Sequence, residues 1–316
     1  MKRVLITGAL GQIGSELAVE LANIVGAGNV LCTDIKPDGA IGNLPYSILD
    51  VTDSDQVNRT IREFQPDLIF HMAAILSAVG EQNPLKAFEV NLSGQLNVME
   101  AARLMPECTV VIPSSIAAFG PDAPKENTPD DTVMNPTTMY GVTKVAGEKL
   151  CNYYYYKFGL DARSVRFPGI ISSETLPGGG TTDYAVDMFI AAVKSQKYVC
   201  YIEENTPLPF LYMPDAIQSL ILLAEAPEQQ LSRRVYNLHG FTCTPGQLAK
   251  EIQKSVPNFT VSYDPDFRQK IAESWPHSLD DHYARKEWGW KPQFTLKNMA
   301  PQMLAAIREK YAEQGN

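Results

Sequence analysis

The chain has 316 residues, 45% of them hydrophobic and 20% charged, which is enough for one large globular domain or two unequal ones and is too apolar for a disordered segment. Its formal net charge of −9 argues against a nucleic-acid or membrane-surface partner, because tracking phosphates takes a basic face. The five scattered cysteines (Cys32, Cys108, Cys151, Cys200, Cys243) contain no C-x-x-C pair, so they suggest neither a disulfide framework nor a zinc site, and they fit a reducing compartment.

No apolar run approaches the ~20 residues of a membrane span. Met1-Lys2-Arg3 has the charge of a signal peptide, but neither a long apolar region nor a cleavage site follows, so a mature domain edge is expected. Arg3 to Thr7 is a short run that suits a buried parallel strand. Gly8-x-x-Gly11-x-x-Gly14 comes next, then a helical pattern from Ser15 to Val25, then a strand from Val30 to Thr33 ending in Asp34. Strand, glycine turn, helix, strand and acid in this order make a dinucleotide site. The glycines allow a tight turn, a close approach of backbone N–H groups to a pyrophosphate, and helix-on-strand packing, with the helix N-terminus facing the phosphates. A carboxylate at Asp34 can accept hydrogen bonds from both ribose hydroxyls and repels a 2′-phosphate, so NAD is favoured over NADP.

The alternation continues. Strands are expected at Tyr46–Leu49 (ending in Asp50), Asp67–His71, Thr109–Ile112 and Ala162–Phe167, with helices from Asp53 to Phe64, from Ala87 to Leu104 and through the Tyr140 region. This pattern is α/β: a doubly wound parallel sheet whose ligands bind at the carboxyl ends of the strands. Beyond Pro168 the alternation stops. Pro177-Gly178-Gly179-Gly180 reads as a hinge before Thr181, Thr182 and Asp183, and a helix follows from Tyr184 to about Lys194. A strand is expected at Val199–Ile202, and Leu211–Met213 with the helix after it as a return to the main sheet. Val235–Leu238, Pro245–Val256, Thr260–Tyr263 and a last helix from Leu296 complete the pattern. Residues 1–172, with returning segments at about 211–239, are expected to form the nucleotide-binding domain; 173–210 and 240–316 are expected to form a smaller α/β substrate-binding lid.

Tyr140 and Lys144 are four apart at the start of the helix, so they share one face. A free phenol titrates near ~10, and a neighbouring cation favours its phenolate, which is how such a pair becomes a base. His71, without a carboxylate cluster around it, reads as structural. The Tyr153–Tyr156 run covers every face of a helix, so part of it must be core and part lateral, as a subunit interface would need.

Gly8-x-x-Gly11-x-x-Gly14, Asp67-x-x-x-His71-x-Ala73-Ala74, Asn91-x-x-Gly94, Ser114-Ser115 and Tyr140-x-x-x-Lys144 together resemble the extended short-chain dehydrogenase/reductase family over nearly the whole chain. Leu76–Glu81, Pro113–Gly120, the tyrosine run and Pro168–Ile171 followed by Pro177–Tyr184 resemble, more narrowly, the short-chain-type L-threonine 3-dehydrogenases. Ser115 stands where threonine is frequent in that family, and either residue supplies a hydroxyl. The resemblance implies metal-independent oxidation of the threonine β-hydroxyl with NAD to 2-amino-3-oxobutyrate. It implies Tyr140, Lys144 and Ser115 as catalytic residues. It implies NAD contacts from Gly8, Gly11, Gln12, Ile13, Gly14, Asp34, Asp50, Val51, Ala73, Tyr140, Lys144 and Pro168. Substrate contacts would come from Ser77, Ser115, Tyr140, Thr181, Thr182 and Asp183, with Asp183 meeting the ammonium. A homodimer is expected, in the cytoplasm for a bacterial source or the mitochondrial matrix for a eukaryotic one.

Two other readings stay open. An NAD-dependent nucleotide-sugar epimerase or dehydratase would need basic lid residues for a diphosphate, and Arg268 and Arg285 are candidates. A non-catalytic NAD sensor would have no need of Ser115, Tyr140 and Lys144 together.

Overall fold

The computed structural model describes residues 2–314 apart from Asp38, Pro106 and Pro177, so the first residue of the expected glycine hinge lies outside the described residues. The amino-terminal half alternates strands and helices: β1 (Val4–Thr7), α1 (Gln12–Val25), β2 (Val30–Asp34), β3 (Tyr46–Ile48), α2 (Ser54–Phe64) and β4 (Leu68–His71). It continues with α3 (Ser77–Gln82), α4 (Pro84–Phe88), α5 (Gly94–Ala102), β5 (Thr109–Ser115), α6 (Met139–Phe158) and β6 (Asp161–Phe167). The single helix expected from Ala87 to Leu104 is therefore α4 and α5, joined by a π-helical turn at Glu89–Ser93. Such turns insert a residue into the helix and often mark functional positions.

The main sheet has seven parallel strands in the order β10-β6-β5-β4-β1-β2-β3, where β10 is Val235–Asn237 on the edge. The order reverses between β1 and β4, which opens a crevice at their carboxyl ends. Side chains alternate along a strand, and in β1 both faces are covered. Val4 and Ile6 of β1 enter one core layer with Leu17 and Leu21 of α1, and Leu5 enters the other with Val57 of α2 and Val98 of α5.

Beyond β6 come β7 (Gly169–Ile171), α7 (Tyr184–Lys194), β8 (Lys197–Cys200), β9 (Leu208–Tyr212) and α8 (Met213–Glu225). After β10 come β11 (Phe241–Cys243), α9 (Pro245–Gln253), β12 (Thr260–Tyr263), α10 (Phe267–Ser274), α11 (His282–Trp288) and α12 (Leu296–Gln314). The strand expected at Val199–Ile202 sits two residues earlier, paired with β12. The segment at Leu211–Met213 does not rejoin the main sheet: β9 pairs in parallel with β7 and antiparallel with β11 in a three-stranded sheet of its own. Of the segments expected to return, α8 and β10 do, α8 packing on α1 and β10 pairing with β6; α11 packs on β10 as well. A third core layer, which includes Tyr184, Phe189, Phe210, Phe259 and Met303, holds α7, α9, α12 and the small sheets together. Among the described residues no helix is long and apolar enough to cross a membrane.

Candidate active site at the carboxyl edge of the sheet

The crevice is lined first by the glycine turn. Gly8 has a φ of +65°, and a Cβ there would lie 2.5 Å from the Ala73 backbone nitrogen at the end of β4. Glycine is required at that point twice over, by conformation and by space. A Cβ on Gly14 would fall 2.4 Å from the Gly8 carbonyl, so α1 starts directly on the turn. Gly11 caps α1 without a side chain, which leaves the first N–H groups, from Gln12 onward, free to face an anion. Asp34 ends β2, its carboxylate accepting from the Leu10 N–H at 3.1 Å and its own neighbour Ile35 at 2.9 Å. Asp50 accepts from both the backbone and the hydroxyl of Thr52, which hold its carboxyl below the usual range. Val51 packs where Gly94 has no side chain. A backbone cradle at a helix start, with a carboxylate at the second strand end, fits a dinucleotide.

The second wall is the end of β5 and the start of α6. Thr138 caps α6, its hydroxyl accepting from Gly141 N–H at 3.1 Å. A Cβ on Gly141 would stand 2.2 Å from the Ala117 carbonyl, so the first turn of α6 lies flush on the turn at Ile116–Ala118. That contact brings the Tyr140 phenol beside the Ser115 hydroxyl, which favours the phenolate. Lys144 Nζ donates to the Pro113 carbonyl at 2.7 Å and stands 5.4 Å from the centre of the Tyr140 ring. Ser114 is spent elsewhere, donating to Glu148 at 2.5 Å.

The electrostatics differ from the expectation. Burial pushes the Tyr140 phenol up to about 12, against a smaller opposing effect of the Ser115 hydrogen bond. The Lys144 ammonium, 5.4 Å from the ring centre and turned toward the Pro113 carbonyl, offsets only part of that burial. Burial brings Lys144 down to about 8, with Glu148 acting against the fall. His71 donates to or accepts from Thr7 through Nδ1 at 2.7 Å, and burial holds it neutral, down to about 3.

The third wall is the segment from Ser172 to Asp183. Ser77 at the start of α3 and Thr181 face each other, their hydroxyls 3.0 Å apart. Thr182 lies against Gly169, where a Cβ would come within 3.0 Å of it. Asp183 turns its carboxylate back on the glycine run, accepting from Gly179 N–H at 2.8 Å and Gly180 N–H at 2.7 Å. Burial raises its pKa against those two bonds. The glycines are also places of close packing: Gly179 has a φ of +96°, and a Cβ there would be 2.6 Å from Val79. Neither Thr181 nor Thr182 caps α7. At its other end the segment is tied to α1 through Thr175, whose hydroxyl lies 3.2 Å from that of Ser15.

Several residues here escaped sequence reasoning. Asn91, on the π-turn, bonds both ways to Ile75 (2.7 and 3.0 Å) and reaches Thr143 of α6 at 3.3 Å, tying the α3 approach to the Tyr140 helix. Its N-x-x-G motif was visible, but the bond partners were not. Arg166 forms a buried fork with Glu148, 2.8 Å on each arm, and nothing local in the sequence marks that pair. In the tyrosine run Tyr154 is buried, whereas Tyr153 and Tyr156 are exposed.

The model of the NAD dependent epimerase/dehydratase family matches residues 4–238. An uncharacterized epimerase/dehydratase of Staphylococcus haemolyticus is 49% identical over 315 residues, covering 98% of this chain and 99% of that protein. Among solved structures, an L-threonine dehydrogenase from Phytophthora infestans superposes with a TM-score of 0.94 at 49% identity, covering 98% of this chain and 99% of that one. A monomeric L-threonine 3-dehydrogenase from a metagenome superposes with a TM-score of 0.94 at 42% identity, over 97% and 99% of the two chains. The chain belongs to the NAD-dependent epimerase/dehydratase family, within the extended short-chain dehydrogenases/reductases. The family and these neighbours support an NAD-dependent oxidoreductase.

Proposed function

We propose that this protein is an L-threonine 3-dehydrogenase, converting L-threonine and NAD to 2-amino-3-oxobutyrate and NADH. The observation that carries the reading is the meeting of Ser115, Tyr140 and Lys144 at the mouth of the nucleotide cradle, opposite the Ser77–Thr181 pair. The L-threonine dehydrogenases at 42–49% identity support the substrate. Bound NAD would supply the acceptor for the hydride of the carbinol carbon. Ser115 donates a hydrogen bond to the reacting oxygen and orients the hydroxyl. Tyr140 takes its proton as phenolate, and Lys144 supplies the charge that favours the phenolate and also binds the nicotinamide ribose. Gly8, Gly11, Gln12, Ile13 and Gly14 would hold the pyrophosphate, Asp34 a ribose, and Asp50, Val51, Ala73 and Pro168 the rest of the cofactor. Ser77, Thr181 and Thr182 offer hydroxyls to the substrate carboxylate. Asp183 meets the ammonium once its carboxylate leaves the glycine amides, which makes the 178–183 segment a closing lid.

A second copy would pack on the exposed stripe of Val142, Tyr153 and Tyr156 on α6, beside Leu96 of α5. The deciding assay is NADH formation over a panel of hydroxy amino acids and nucleotide sugars. Threonine-dependent accumulation of NADH is expected; turnover of a nucleotide sugar with no net NADH would replace the reading with the epimerase one.

A further inference from the structure

Glu148 takes no part in the chemistry above, yet it is 2% exposed and one turn beyond Lys144 on the Tyr140 face of α6. We propose that Glu148 is a positioning residue of this site: through Ser114 it fixes the end of β5 that carries Ser115, and from the next turn of the same helix face its charge supports that of Lys144. The kinetic part of this inference rests on the dehydrogenase reading.

Positions 140, 144 and 148 are four apart, so their side chains form one column along α6. That column meets three consecutive residues of β5: Tyr140 meets Ser115, Lys144 meets the Pro113 carbonyl, and Glu148 meets the Ser114 hydroxyl. One helix face thus grips the whole strand end. Glu148 is itself held from the next strand. Ser114 and Arg166 are directly paired in the β5–β6 register, and Arg166 grips both carboxylate oxygens at 2.8 Å. The remaining guanidinium arm donates to the Asp130 carbonyl at 2.9 Å and to Asn237 at 3.0 Å. A carboxylate in a bidentate guanidinium fork has one geometry, and Ser114 inherits it.

The groups around Lys144 are few. Tyr140, Glu148 and Cys151 face it from α6, the Pro113 carbonyl from β5 and His71 from β4, with Arg166 behind Glu148. Burial keeps the His71 ring and the Cys151 thiol neutral near neutral pH, pushing them to about 3 and about 12. Glu148 is the anion of the set. A purely architectural ion pair, joining α6 to β6 and no more, would cost stability when broken. It would leave the Lys144 titration and the effect of Ser114 on turnover untouched.

The experiment compares full-length wild type, Ser114→Ala and Glu148→Gln. The Lys144 Cε resonance is followed against pH by carbon NMR without substrate, assigned by its loss in Lys144→Arg. Thermal midpoints, KM for NAD and kcat with threonine are measured alongside. In Glu148→Gln the Lys144 midpoint should fall by about one pH unit or more, since a nearby opposite charge is worth that much. In Ser114→Ala the Lys144 midpoint, thermal midpoint and KM for NAD should hold, while kcat falls roughly tenfold to 10²-fold, as expected of a small misplacement of a reacting group. An unmoved Lys144 midpoint in Glu148→Gln removes the influence of Glu148 on Lys144, and wild-type kcat in Ser114→Ala removes the positioning role. If Glu148→Gln alone does not fold around the stranded Arg166, the double variant Glu148→Gln/Arg166→Gln must show the same fall in the Lys144 midpoint. Should the wild type ignore threonine, the substrate reading fails, and the Lys144 titration still decides the role of Glu148.

Discussion

Replacing Tyr140 with phenylalanine keeps the ring and its packing and deletes one oxygen. In the resting protein the pair loses its first proton near the lower of its two values, about 8 at Lys144, while the phenol sits at about 12. The reactive form with the same proton count, phenolate beside ammonium, is therefore disfavoured in the resting protein, because burial raises the phenol and lowers the ammonium. Attraction between the charges offsets part of this. Across the 5.4 Å from Nζ to the ring centre, an effective dielectric constant of 20 gives about 3 kcal/mol. The reactive form is the minor tautomer of the singly protonated pair. That is enough for a base, and it sets the sign of the pH dependence. The Tyr140 pKa is raised, so the phenol is protonated at neutral pH and activity grows as protons leave the pair. The kcat for threonine should rise with pH through an apparent value near that of Lys144 and then level, the value belonging to the pair. In Tyr140→Phe the plateau should drop by roughly 10²–10⁴. Lys144→Ala removes the ~3 kcal/mol of attraction, a loss of roughly 10², and weakens ribose binding as well. The assay is stopped-flow NADH formation across the pH range, with NAD binding followed by fluorescence to establish that the cradle is intact. A folded Tyr140→Phe protein that binds NAD and turns over threonine at near the wild-type rate would refute the mechanism.

Asp34→Ala should weaken NAD by about 1.5–3 kcal/mol for each charged hydrogen bond lost, and narrow the preference over NADP; titrations with both cofactors measure it, and a wild type that prefers NADP contradicts the ribose role. Gly141→Ala sets a methyl 2.2 Å from the Ala117 carbonyl, so α6 must lift from the Ser115 turn. Overpacking of this kind costs about 1–3 kcal/mol of stability, and kcat should fall with NAD affinity retained. Asp183→Asn takes a charged acceptor from the Gly179 and Gly180 amides and a charged partner from the substrate ammonium. KM for threonine should rise far more than KM for NAD, and an unchanged KM would remove Asp183 from the substrate site. Light scattering should give at least two chains per particle, with Tyr153→Glu/Tyr156→Glu shifting the mass toward one; a fully active monomeric wild type would remove the α6 stripe as an interface.

The sequence alone determined the features that are local along the chain. The alternation of apolar runs set the order of β1 to β6, because a strand buried on both faces and a helix buried on one have different periods. The glycine triplet, Asp34 and the Tyr140–Lys144 spacing were legible because each depends on residues within a turn or a strand–turn–helix unit. The tertiary structure decided everything that depends on a partner distant in the chain. An extended run such as Leu208–Tyr212 carries no mark of which edge it will join, and its neighbours turned out to be β7 and β11. Asp183 had the chemistry to meet an ammonium, but its hydrogen bonds in this structure go to Gly179 and Gly180. Tyr140 had a cation one turn away, but burial, opposed by the Ser115 hydroxyl, moves its proton affinity. Glu148 looked like one more helix glutamate until the β5–β6 register put Ser114 and Arg166 side by side beneath it. Periodicity fixes which face a residue occupies; desolvation and hydrogen-bond partners belong to whatever packs against that face, and only the folded chain supplies it.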